Sequence, residues 1–133
     1  MTNKPVYTEL DVTKLHELLN IIDTSNKKDN AAIIIKFGAT WCGPCQRIKP
    51  LCHNLFAQMP ENVICFDIDV DHNMELYVAY KAKKMVTSIP TILGYTNNPN
   101  RDNNHWYAPD LSITGSQPSG IEQFFNNILA KSK

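Results

Sequence analysis

The 133-residue chain reads as an α/β domain, a central mixed β-sheet flanked by helices on both faces. Three observations carry that reading. Short apolar, β-branched runs alternate with stretches of helical periodicity. The last two strand-like runs follow one another with no helix between them, which demands an antiparallel pair. The strongest runs are apolar at successive positions, as strands covered on both faces are.

Val6 and Tyr7 suggest a short first strand. From Asp11 the pattern turns helical, with Leu15, Leu18, Leu19 and Ile22 on one face. TSNKKDN, residues 24–30, is a polar loop. AAIIIKF, residues 31–37, is too short for a stable helix and rich in β-branched residues, so it is a buried central strand. CGPCQRIKPLCHNLFAQM follows as a helix marked by Ile48, Leu51, Leu55 and Met59, in which Pro50 predicts a kink. NVICFDIDV, residues 62–70, is the next strand, and HNMELYVAYKAKK the next helix. TILGY, residues 91–95, follows Ile89–Pro90 as a strand. A long Asn-rich connection, residues 96–109, leads to a last strand at LSITG, residues 111–115. Ser119 and Glu122 match a capping box for a final helix with Ile121, Phe124, Phe125, Ile128 and Leu129 on its apolar face.

Length predicts one domain, residues 1–133, large enough to bury a core without disulfide staples. Thirteen basic residues balance thirteen acidic ones, which argues against a nucleic-acid or anionic-membrane partner. No stretch approaches the ~20 apolar residues of a membrane span. MTNKPVYTEL lacks an apolar signal core, so the expected location is intracellular, in the cytoplasm. Four cysteines in such a chain point to catalysis, metal binding or simple burial. The default oligomeric state is the monomer.

The stretch GATWCGPCQRIKP, residues 38–50, places two cysteines where a strand ends and a helix begins. A thiolate, not a thiol, attacks a disulfide. At the helix start, Cys42 lies near unpaired N–H groups and the positive end of the helix dipole, and both lower its pKa. Cys45 lies one turn deeper on the same side. The first sulfur is placed to attack and the second to resolve. Gly43 suits a tight turn, and Pro44 stiffens it and needs no N–H. Zinc is an alternative use of Cys-x-x-Cys, with Cys52 and His53 as further ligands. Cys45 and Cys52, however, stand ~10 Å apart along a helix axis, so both reach one ion only if the helix breaks. An idle pair is the other alternative. Cys-x-x-Cys beside a βαβ pattern favours redox chemistry.

FGATWCGPCQRIKP resembles the active-site segment of the thioredoxin family. FDIDVDHN resembles that family's next strand and turn, SIPT its cis-proline loop, and Gly115 the glycine after its last strand. The resemblance covers roughly residues 5–95 and 110–131. It implies the thioredoxin fold, with Cys42 as nucleophile and Cys45 as resolving thiol. It implies that Trp41 packs beside them and shapes the contact surface. Pro90 would be cis, presenting the Ile89 backbone to an extended substrate, with Gly115 nearby. The implied activity is reduction of protein disulfides, with an NADPH-dependent thioredoxin reductase as electron donor and no bound cofactor or metal. A thiol oxidase or disulfide isomerase is the alternative, and a non-catalytic binding module the second.

The chain departs from the family in three places. Lys36 stands where the family has a buried Asp, and Asp67 stands on the adjacent strand where the family often has Lys, which suggests an exchanged ion pair. Asp67 becomes a candidate base for Cys45 if it reaches the same cavity; the plain alternative is that Lys36 snorkels to solvent. Residues 81–88 run about four residues longer than expected, and Lys81, Lys83 and Lys84 there would form either a basic patch near the substrate surface or a solvated helix end. The connection at 96–109 carries Trp106 and Tyr107, which either dock a partner or pin the loop to the body. Cys52 and Cys65 read as small buried hydrophobes. The four histidines show no ligand spacing.

Overall fold

A computed structural model describes residues 4–25 and 30–132. Residues 26–29 of the predicted polar loop lie outside the described residues. In chain order the elements are β1 (Val6–Tyr7), α1 (Val12–Thr24), β2 (Ala32–Gly38), α2 (Gly43–Ala57), β3 (Val63–Asp69), α3 (Met74–Ala82), β4 (Thr91–Thr96), β5 (Leu111–Thr114) and α4 (Pro118–Lys131). The sheet order is β1-β3-β2-β4-β5. β2 pairs parallel with β3 and antiparallel with β4, so the sheet is mixed as the sequence requires.

β2 is buried at every position because it is central and covered on both faces. Its alternating side chains divide between two cores. Ile33, Ile35 and Phe37 pack with Leu15, Leu19 and Ile22 of α1 and with Leu76 and Tyr80 of α3. Ala32 and Ile34 pack with Ile48, Cys52 and Phe56 of α2 and with Phe124, Phe125 and Ile128 of α4. Each fully buried Leu, Ile or Phe contributes ~1.5–3 kcal/mol of transfer free energy. Gly94 in β4 is where α4 comes closest: a Cβ there would stand 2.7 Å from Ile128 Cδ1.

Asp11 caps α1, its side chain accepting from Lys14 N at 2.7 Å. α2 runs unbroken through Pro50. The expected capping box of α4 does not form. Gln117 occupies the cap position without a side-chain bond, and Pro118 opens the helix. Pro is favoured at the first helical position, where its missing N–H costs nothing, and it moves Ser119 inside the helix.

The connection from β4 to β5 is pinned to the body at Arg101, Trp106 and Tyr107, while Pro99, Asn100 and residues 102–105 are exposed. Within it Asn103–His105 form a 3₁₀ turn that the sequence reading missed. Arg101 is 7% exposed and reaches Asp23 of α1 at 2.7 Å and Asp110 at 2.9 Å. Trp106 stacks on His16 with ring centroids 4.9 Å apart. Tyr95 donates its hydroxyl to Tyr107 O at 2.6 Å, so Tyr80 donates to Tyr95 across a 2.6 Å contact.

Candidate active site

The site lies where β2 and β3 end and α2 begins. Cys42 is the N-cap of α2, and its Sγ accepts the backbone N–H of Cys45 at 3.2 Å. This is the bond a capping Ser or Asp makes, here made by sulfur, and it places partial positive charge on the atom that must carry a negative one. Cys42 and Cys45 form a disulfide, with Cα atoms 5.2 Å apart. Cys42 is 6% exposed and Cys45 2%. The ranking follows the sequence reading, but Cys42 is more sheltered in the disulfide than an open nucleophile would be. An approach to it passes between exposed Trp41 and Gly43.

Gly43 opens α2 directly after the Cys42 cap. Among the glycines only Gly115 has a positive φ, so no left-handed turn requires Gly43. A Cβ there would meet only Arg47 Nη1, at 3.8 Å, so the missing side chain keeps the face beside the disulfide low. Pro44 sits in the first turn of α2, where no N–H is needed.

The loop opposite α2 is fixed by its backbone. The Ile89–Pro90 peptide bond is cis. Ile89 O lies 3.9 Å from Cys42 Sγ, while Pro90 O accepts the N–H of Gly115 at 2.9 Å. Gly115 has φ 106, which glycine adopts without strain. Thr91 Oγ1 donates to Ser88 O at 2.6 Å. One carbonyl of the loop thus faces the attacking sulfur while its neighbours are tied down.

Trp41 is 68% exposed, and its Nε1–H donates to Asp71 Oδ2 at 2.8 Å. The sequence does not single out Asp71, although it lies within the FDIDVDHN run. Gln46 Nε2 donates to Ala39 O at 2.9 Å and braces the segment before Cys42, a second contact the sequence reading missed.

Lys36 and Asp67 face each other in the β2–β3 register, with Nζ 3.2 Å from Oδ1. The Lys36 side chain is 4% exposed, so it does not snorkel to solvent. Asp67 Oδ2 also lies 3.5 Å from His53 Nε2. Lys36, Asp67 and Cys45 share the wall of one cavity of about 330 Å³. The sequence offers His53 only as a zinc-ligand candidate, not as a neighbour of Asp67. Its placement depends on how α2 is phased against the sheet, which sequence spacing does not give.

Burial pushes the Cys52 thiol up to about 11, with Lys36 pulling it down and Asp67 pushing it up. Burial likewise raises Cys65 to about 11, against the pull of Lys4. Neither is a reactive thiol. Among the described residues no group of three or more His, Cys, Asp and Glu is placed to hold a metal ion. No described helix is long and apolar enough to cross a membrane. Lys81, Lys83 and Lys84 are all exposed. Lys81 lies over Tyr77 at 5.3 Å, and Lys83 over Tyr107 at 4.2 Å, in the connection at the opposite end of β4 from Pro90.

A disulfide capping a helix, set against a cis-proline loop at the end of a mixed sheet, defines a scaffold of the dithiol–disulfide class. The thioredoxin family model matches residues 11–109, and the chain belongs to that family. It is 39% identical over 66 residues to the thioredoxin of Ophiophagus hannah, covering 50% of this chain and 58% of that one. It is 40% identical over 55 residues to the thioredoxin of Homo sapiens, covering 41% and 51%. The chain thus spans little more than half the length of the curated relatives it matches. Among solved structures, Trichomonas vaginalis thioredoxin superposes with a TM-score of 0.62 at 26% identity, covering 91% of this chain and 96% of that one. The reduced Schistosoma mansoni thioredoxin pre-protein shares the fold, with a TM-score of 0.63 at 24% identity over 93% and 99% of the two chains.

Proposed function

We propose that the protein is a dithiol–disulfide oxidoreductase that reduces disulfides in protein substrates through a reversible Cys42–Cys45 disulfide. The observation that carries this reading is Cys42 Sγ at the cap of α2, accepting Cys45 N–H and bonded to Cys45. In the reduced protein the Cys42 thiolate attacks one sulfur of the substrate disulfide. A mixed disulfide forms, and the other substrate sulfur leaves with the electron pair and takes up a proton. Cys45, once deprotonated, attacks Cys42. The mixed disulfide breaks, the second substrate thiol departs, and the Cys42–Cys45 bond is restored. Two electrons have passed to the substrate. The Ile89 carbonyl beside Cys42, next to cis Pro90, supports recognition of extended backbone at the reacting sulfur. Exposed Trp41, next to Cys42, and Gly115, bonded to Pro90 O, support the same reading. Family membership supports an NADPH-dependent thioredoxin reductase as the source of electrons.

Reduction of insulin disulfides with dithiothreitol as donor tests the reading. The wild type should precipitate the insulin B chain well ahead of dithiothreitol alone, and Cys42→Ser should not. Equal rates for the two proteins would leave only a binding module. The Lys36 ammonium in the Cys45 cavity favours a second reading, a more oxidising thiol oxidase or isomerase. Net oxidation of a reduced substrate in a glutathione buffer would support it.

A further inference from the structure

Lys36 is a buried cation with donors to spare. An ammonium has three N–H groups. One meets Asp67 Oδ1 at 3.2 Å, and the side chain is otherwise closed off from bulk water, at 4% exposure. The cavity it faces has Cys45 in its wall. Gly38, two residues beyond Lys36 on the same face of β2, touches that cysteine: a Cβ on Gly38 would lie 3.5 Å from Cys45 Sγ. The field of the pair already reaches sulfur on α2, since Lys36 lowers and Asp67 raises the pKa of Cys52, two turns beyond Cys45.

We propose that Lys36 is a positioning residue for the resolving step, its ammonium stabilising the Cys45 thiolate across the shared cavity, and that Asp67 limits the charge available to do so. The inference rests on the dithiol–disulfide reading and deepens it. Asp67 divides its carboxylate between Lys36 and His53. Oδ1 faces Lys36 and Oδ2 faces His53 at 3.5 Å. Whatever negative charge Asp67 commits to His53 is withheld from Lys36. The remaining titratable groups around the cavity are more exposed than Lys36: Glu9 ahead of α1, Lys49 on α2, Asp69 at the end of β3 and His72 beyond it, the last two 3.9 Å apart. These are nearer water than Lys36, so solvent weakens their fields.

The step balances without a further reagent. Cys45 loses its proton to water in the open cavity. Its thiolate attacks Cys42 Sγ in the mixed disulfide, and the leaving substrate sulfur takes the electron pair and a proton. A cation beside Cys45 favours the thiolate, stabilises the reduced dithiol, and makes the protein more oxidising.

The test uses equilibrium with glutathione at pH 7 and a thiolate titration by ultraviolet absorbance, on wild type, Lys36→Met, Lys36→Arg and Asp67→Asn. Lys36→Met should shift the exchange equilibrium toward the disulfide roughly tenfold, which is about 30 mV for this couple, and move thiolate formation to higher pH. Asp67→Asn should shift both the opposite way, because it frees the ammonium. Lys36→Arg keeps the charge and should stay within about twofold of wild type. A merely structural pair would give changes of one sign in both charge-removing variants. Shifts of the same sign, or Lys36→Met within twofold of wild type, overturn the proposal. If Lys36→Met does not fold, Asp67→Asn decides, and no shift or a shift toward the disulfide overturns it. A wild type that never equilibrates with glutathione would instead overturn the oxidoreductase reading itself.

Discussion

The ammonium of Lys83 stands 4.2 Å from the centre of the Tyr107 ring. The residue after α3 is thereby joined to the connection between β4 and β5, and the two long segments of the chain support one another. Tyr107 is held from its other side as well, since its carbonyl accepts from buried Tyr95. An exposed cation–π contact contributes ~0.5–1 kcal/mol. Lys83→Met should therefore lower stability by about that amount in urea unfolding and leave insulin reduction at the wild-type rate, because the contact sits at the end of β4 away from Pro90. A marked loss of reduction would return Lys83 to the substrate surface.

Arg101 ties the same connection to α1. Its guanidinium serves Asp23, Asp110, Thr96 O and Ala108 O. Replacing it by Met takes the cation from two carboxylates, leaving Asp23 with the Asn98 N–H and Asp110 with the Thr96 N–H. A fully buried broken pair costs ~3–5 kcal/mol. The Asp23 and Asp110 side chains are 14% and 22% exposed, so water recovers part of this. Arg101→Met should cost roughly 2–4 kcal/mol in a urea melt, with the midpoint falling and the slope unchanged.

The two sulfurs of the site should fail differently. Without Cys45 nothing breaks the mixed disulfide, so Cys45→Ser should accumulate a covalent complex with a disulfide substrate. Mass spectrometry after acid quench would show it, and thiol addition would release it. Cys42→Ser should give no complex. A complex formed through Cys45 in the Cys42→Ser protein would reverse the assigned roles.

Cys52 and Cys65 make stability depend on pH. Each is raised in the folded protein from an ordinary value of 9.0 to about 11. A raised thiol pKa means the folded state holds the proton longer. The contribution is complete below pH 9 and is lost as pH rises toward 11, each thiol supplying roughly 2–3 kcal/mol at ~1.4 kcal/mol per unit. Unfolding free energy should fall across that window, and Cys65→Val should flatten the fall. Neither thiol should be alkylated at pH 8 until denaturant is added.

The strands and helices were legible because both periods are written clearly in the chain. Ile33, Ile35 and Phe37 alternate with Ala32 and Ile34, and Ile121, Phe124, Phe125 and Ile128 keep helical spacing. The Lys36–Asp67 pair was anticipated only through the resemblance, because the two positions match those of the family's buried Asp and Lys, and the register of β2 on β3 brings them together. Contacts that depend on how elements are turned against each other were not legible. His53 reaches Asp67 only through the phase of α2 on the sheet. Arg101 reaches Asp23 across 78 positions of sequence separation. The capping box failed for a local reason: Ser119 and Glu122 fit the spacing, but Pro118 claims the first turn. Gly43 was read as a turn former because Gly usually is one, yet its backbone stays within ordinary limits.

The sheet has short borders. β1 contributes two residues on one side and β5 four on the other. Unpaired backbone at a border is where a foreign chain zips on, and so little is on offer that edge-to-edge aggregation gains scant purchase. In the function proposed above, a visiting polypeptide would instead take its foothold off the ladder, on the carbonyl that Ile89 turns toward sulfur.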